Sequence, residues 1–142
     1  MIRPVRSSGE APPIVLQSLH GKTFSLKENR GHYVLLDFFG SWCDPCRQMV
    51  PILNSLHNGN PRIRLVEIDA GESPAPVIAF SNEMHIDNPI MDPNLEVNRA
   101  YGAAGYPLIV LVDPNGKIAG KWYGYNPKIS SLVREAILLP LQ

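Results

Sequence analysis

Residues 33–46 read YVLLDFFGSWCDPC: seven residues that are apolar or aromatic except for Asp37, then Gly40, then two cysteines separated by two residues. A strand buried on both faces of a sheet is a near-continuous apolar run rather than an alternating one. Tyr33–Phe39 is therefore predicted to be a central strand. Downstream, Met49, Val50, Ile52, Leu53 and Leu56 recur at helical spacing, with Pro45 suited to a first helical turn and Gly59 to a stop. Pro51 falls inside that helix and is expected to kink it. Both cysteines thus stand at a strand-to-helix junction. The start of a helix offers free N–H groups and about half a positive charge, which stabilise a thiolate, and only the thiolate attacks. Cys46, one turn in, is close enough to attack a mixed disulfide formed on Cys43 and release it. The spacing points to thiol–disulfide exchange, with Cys43 as nucleophile and Cys46 as resolving thiol.

The rest of the chain supplies the setting. Ile14–Leu19 and Lys22–Leu26 flank His20-Gly21 and suggest a β-hairpin. Arg62–Asp69 alternates with period two and reads as a strand, and a helix is expected from Ser73-Pro74 to His85. A short strand at Pro89–Asp92 and a short helix over Asn94–Tyr101 follow, the helix begun by Asp92-Pro93 because Asp caps and Pro fits the first turn. Pro107–Asp113 is a second buried strand, joined through Asn115-Gly116, a strong hairpin signal, to Lys117–Gly124. The last helix is expected from Pro127 to Leu139. Strands alternating with helices and closed by an antiparallel hairpin predict an α/β domain with a mixed central sheet and helices on both faces. Residues 1–12 carry no apolar run and are expected to be a flexible arm, leaving residues 13–142 as one domain.

Composition narrows the function. Thirteen basic and thirteen acidic residues cancel, so nothing builds the basic field that nucleic acid or an anionic membrane attracts. Fourteen prolines in 142 residues exclude a bundle of long helices. A zinc site would need a second ligand pair, whereas both cysteines are in one motif and His20, His32, His57 and His85 are scattered. A static disulfide between Cys43 and Cys46 would close a ring too small to restrain the unfolded chain much. Redox chemistry is the reading that remains.

The run from Val34 through Cys46, with Pro51 five residues on and Tyr106-Pro107 ahead of a strand, resembles the thioredoxin superfamily. Gly21-Lys22-Thr23-Phe24-Ser25-Leu26 and Asp69-Ala70-Gly71-Glu72-Ser73 are similar to its TlpA/ResA branch of thiol-disulfide oxidoreductases, usually found outside the bacterial cytoplasm. The resemblance covers residues 12–139. It implies a thioredoxin-like fold with an N-terminal β-hairpin and a central αβ insertion. The separation of 64 positions from Cys43 to Pro107 leaves room for that insertion at residues 74–92.

The resemblance also assigns roles. Asp37 matches the buried acid behind the redox pair. A carboxylate in an apolar strand is expected to have a raised pKa and to take the proton of Cys46, the alternative being a purely structural cap or partner. Pro107 matches the family's cis-proline, which presents backbone groups to a substrate. Tyr106 either contacts the substrate over the disulfide or packs, and Trp42 is an exposed docking surface by resemblance but equally a core aromatic by composition. Asp44 and Pro45 complete the substrate-facing motif, and the Asp44 charge works against a Cys43 thiolate, which predicts a reducing couple. Met49 stands where ResA-type proteins of cytochrome maturation carry an acid, which weakens the case for that job. Lys121–Tyr125 is read as cross-strand packing, and the last helix as sheet cover.

The expected function is reduction of protein disulfides through the Cys43–Cys46 dithiol, with no bound cofactor and no metal. Electrons would come from another protein, and a membrane thiol-transfer protein suits an extracytoplasmic location, although a cytoplasmic one stays open. A monomer is expected. The alternatives are an oxidase or isomerase that donates its disulfide, and a redox-inert thioredoxin-fold binding module. Peroxide reduction fits poorly, since it uses a lone nucleophilic cysteine in a different motif.

Overall fold

The computed structural model describes residues 9–141. Its centre is β3 (Tyr33–Phe39), in which all seven side chains are buried. Such a strand needs a neighbour on each edge and a layer on each face. The edges are covered by β4 (Ile63–Asp69), which runs parallel, and β5 (Leu108–Val112), which runs antiparallel. With β6 (Ile118–Tyr123) the sheet has the order β4-β3-β5-β6. The parallel β3–β4 pair needs a crossover, and α1 (Asp44–Asn58) supplies it. Alternation then sorts β3. Tyr33 and Leu35 pack with Met49 and Leu53 of α1 and Ile129 and Val133 of α4 (Ile129–Leu138). Val34, Leu36 and Phe38 pack on the other face with Ile14, Leu26, Val97 and Tyr101. This is the expected mixed α/β architecture.

The N-terminal hairpin forms from β1 (Val15–Gln17) and β2 (Thr23–Ser25), shorter than predicted. The Ser18–Lys22 turn takes up the missing residues: Ser18 N–H donates to the Lys22 carbonyl and Ser18 Oγ accepts from Lys22 N–H. The insertion contributes α2 (Pro74–Met84), but its strand over Pro89–Asp92 reduces to a single bridged residue, Ile90, between Ser18 and Ile68. Prolines at 89 and 93 lack the N–H a longer ladder would use. The helix expected from Asn94 is only α3 (Glu96–Ala100), because Leu95 takes a left-handed conformation at φ 58°. Asp92 still caps it, accepting from Asn98 N–H at 2.8 Å. The helix α1 runs through Pro51 without a break, with Gly59 as its C-cap.

Most of the expected arm, residues 1–8, lies outside the described residues. Residues 9–12 are held in place: Ile118 N–H donates to the Gly9 carbonyl, Ala11 N–H to the Gly116 carbonyl, and the Tyr101 hydroxyl to the Pro12 carbonyl. The cluster under α1 is what fixes that helix on the sheet, so truncation there is costly. Leu53→Ala, at a fully buried site, is expected to lose about 2–5 kcal/mol of stability, read as a lower urea midpoint with an unchanged denaturant slope.

Candidate active site

The turn after β3 brings the two cysteines to the first turn of α1. Cys43 is the N-cap, with extended backbone angles, and its Sγ accepts from the Cys46 N–H at 3.1 Å. The two sulfurs are joined as a disulfide with Cα atoms 5.2 Å apart. Both cysteines rest on an apolar cluster of Phe39, Val50, Val77, Phe80 and Ile86. Apolar contact keeps water from the sulfurs while the helix start stabilises negative charge on Cys43. Asp44 and Pro45, in the same turn, are exposed.

Two aromatic side chains wall the disulfide. Trp42 is 61% exposed and its indole lies back over Gly40, where a Cβ would come within 2.5–2.7 Å of the ring. Tyr106 meets the indole edge-on with ring centroids 5.9 Å apart. Its carbonyl oxygen is 3.5 Å from Cys43 Sγ, and the following peptide bond to Pro107 is cis. Trp42 therefore lies outside the core, and Tyr106 both packs and faces the cysteine.

A polar chain behind these walls fixes their positions. Glu72 accepts hydrogen bonds from the N–H and hydroxyl of Ser41, next to Trp42. Its own N–H donates to Asp69 Oδ2 at 2.7 Å. Asn98 donates to the Asp69 carbonyl and to Asp92, and accepts the Tyr106 hydroxyl at 2.8 Å. Burial pushes Asp69 up to about 8. Glu72 is held below the usual carboxylate range, its partial burial being outweighed by hydrogen bonds from Asp69 and Ser41. Tyr106 titrates higher than usual because of burial and the carboxylates of Asp69 and Asp92. Ser41, Glu72, Asp69 and Asn98 were not singled out as site residues from the sequence. Only the Asp69–Ser73 run hinted at them.

Asp37 is fully buried in β3, between Leu35 and Phe39 on the face that α1 covers. Burial raises its pKa to about 7. Its register partner is Glu67 on β4, also buried and raised well above the usual range, first by burial and then by the charge of Asp37. Apart from the Glu67 carboxyl, neither Asp37 oxygen has a hydrogen-bond partner. Met49 lies in the core cluster under α1 rather than in the site. Among the described residues there is no cluster of three or more metal-ligating side chains, and no helix is long and apolar enough to cross a membrane.

The sequence pattern of the AhpC/TSA family matches residues 8–121. The chain is 31% identical over 122 residues to the thiol-disulfide oxidoreductase ResA of Bacillus thuringiensis, covering 84% of this chain and 70% of the relative. It is 29% identical over 117 residues to ResA of Bacillus subtilis, covering 80% of this chain and 65% of that one. A DsbE-like thiol:disulfide interchange protein from Chlorobium tepidum superposes with a TM-score of 0.84 at 27% identity, over 96% of this chain and 97% of that one. The thioredoxin domain of a thiol-disulfide oxidoreductase from Bacteroides vulgatus gives 0.82 at 26% identity, over 92% and 97%.

The buried acids make stability depend on pH. Their folded pKa values lie above the unfolded value of about 4, so the folded state binds more protons and its stability falls as pH rises from about 4 towards 7–8. Asp37→Asn removes one of these groups and is expected to flatten that decline, measured as urea-unfolding free energy at pH steps between 4 and 8. An unchanged slope would show that Asp37 is not ionised at cost in the fold.

Proposed function

The chain belongs to the AhpC/TSA family of thioredoxin-fold proteins and is a thiol-disulfide oxidoreductase, and from that premise we propose that it reduces protein disulfides outside the cytoplasm. The observation that carries the chemistry is Cys43 as N-cap of α1, bonded to Cys46 and facing the Tyr106 carbonyl. In the reduced protein the Cys43 thiolate attacks a substrate disulfide, forming a mixed disulfide and releasing the first substrate thiolate. Cys46 gives its proton to Asp37 and attacks Cys43 Sγ. The second substrate thiolate leaves, two electrons have passed to the substrate, and the protein holds the Cys43–Cys46 disulfide. A protein thiol donor re-reduces it.

Trp42 and the Tyr106-Pro107 turn form the docking platform for the substrate. An edge-on aromatic pair next to a backbone carbonyl gives an extended polypeptide both apolar contact and a hydrogen-bond partner, while exposed Asp44 and Pro45 border it. Asp44 sets its charge beside Cys43, opposes the thiolate and makes the couple reducing. Residues 13–142 supply this chemistry as one domain, working as a monomer with a membrane thiol-transfer protein as electron source.

Turnover of insulin disulfides is the direct test. Cys43→Ser is expected to abolish it, whereas Cys46→Ser is expected to stop after one event with the substrate trapped as a mixed disulfide on Cys43. The direction of electron flow follows from the potential, measured by equilibrating the pair with defined thiol buffers. A value near −270 mV, roughly that of thioredoxin, supports the reductant reading, and one near about −120 mV makes the protein a disulfide donor instead.

A further inference from the structure

We propose that Asp37 and Glu67 form a coupled carboxyl pair that holds one proton between them, and that Glu67 is the group through which this proton exchanges with solvent. The inference rests on the reading of Asp37 as acceptor of the Cys46 proton and gives that proton an exit.

The geometry begins with register. Asp37 and Glu67 are opposite each other across the parallel β3–β4 pair, and neighbours in register present side chains to the same sheet face. Their fractional exposures are 1% and 7%. Both Asp37 oxygens and Oε2 of Glu67 lack a hydrogen-bond partner outside the pair, while the two carboxyls interact with each other side chain to side chain. Two adjacent carboxylates in so dry a place repel, and each forgoes the solvation that an ionised carboxylate needs. One shared proton removes the repulsion and supplies a donor for the orphaned oxygens.

The exit follows from where the two residues stand in the sheet. Asp37 is in the central strand, covered by α1 and enclosed by β4 and β5, where its other register neighbour is Ile109. Glu67 is on the edge strand and lines a pocket of about 290 Å³ with Asn54, His57, His85 and Asp87. The titratable groups on the covering elements are Cys46 in the first turn of α1 and, lining the pocket with Glu67, His57 of α1 and His85 and Asp87 after α2. The His57 Nδ1–H donates to the Ile63 carbonyl at 2.8 Å. His85 and Asp87 are exposed, so the pocket meets bulk water on that side. When Cys46 attacks, its proton goes to Asp37, the pair redistributes it, and Glu67 delivers it to water. In re-reduction the path reverses.

The test reads the carboxyls themselves. In full-length reduced protein with 13C-labelled carboxyl groups, the Asp37 and Glu67 signals are expected to titrate in two shared steps. Glu67→Gln, close in shape and uncharged, is expected to leave Asp37 with one step, its midpoint lower by about one pH unit or more than the upper wild-type step. The pH profile of insulin-disulfide reduction should move down with it. Asp37→Asn serves as a second variant that reduces Glu67 to one step. An Asp37 curve unaltered by Glu67→Gln overturns the pair. Shared two-step curves together with an Asp37→Asn rate profile identical to wild type would overturn the proton route and the Asp37 reading beneath it, while leaving turnover by the cysteines intact.

Discussion

Everything in this fold depends on β3 being enclosed. A seven-residue strand with no exposed side chain must be covered on both edges and both faces, and each cover has a place in the site. The edge facing β5 leads to the Tyr106-Pro107 turn, whose carbonyl meets Cys43. The face under α1 ties the helix to the sheet through Met49 and Leu53, and so fixes the N-cap at which Cys43 stands. The same enclosure is what makes Asp37 costly to ionise, because a charge at that depth loses its hydration without a compensating cation. Packing and redox chemistry are therefore two results of one burial.

The elements nearest this strand were the ones legible in the sequence. An apolar run at 33–39, interrupted only by Asp37, and one at 108–112 belong to inner strands, and a cysteine pair ahead of helical periodicity locates the strand-to-helix turn that carries both thiols. Where the reading failed, local signals were overruled by contacts distant in sequence. Pro89–Asp92 has a strand-like composition, yet Ile90 alone is bridged, between residues of β4 and the Ser18 turn. Asp92-Pro93 looks like a helix start, yet Leu95 turns left-handed and the helix begins after it while Asp92 still caps.

The polar parts of the site were the least legible. Glu67 shares a face of β4 with Ile63 and Leu65, but only register with β3 makes it the neighbour of Asp37. Ser41, Glu72, Asp69 and Asn98 come from three separate segments, and apart from the Asp69–Ser73 run no local pattern marks them as partners. Together they link the turn carrying Trp42 to the turn carrying Tyr106, so the two walls of the disulfide share one scaffold. Met49 shows the opposite case: a position beside the motif belongs entirely to the core.

The pair of bridges at Ile90 has a meaning beyond topology. β4 is an outer strand, and an uncovered outer strand is a template on which another chain can add itself and begin an aggregate. Ile90 N–H donates to the Glu67 carbonyl and the Ile90 carbonyl accepts from Asp69 N–H, occupying the outward backbone groups at that end of the strand. Towards its start, the charged side chain of Arg64 is exposed. One bridged residue held between two prolines thus acts as a guard against self-association at that end of the sheet.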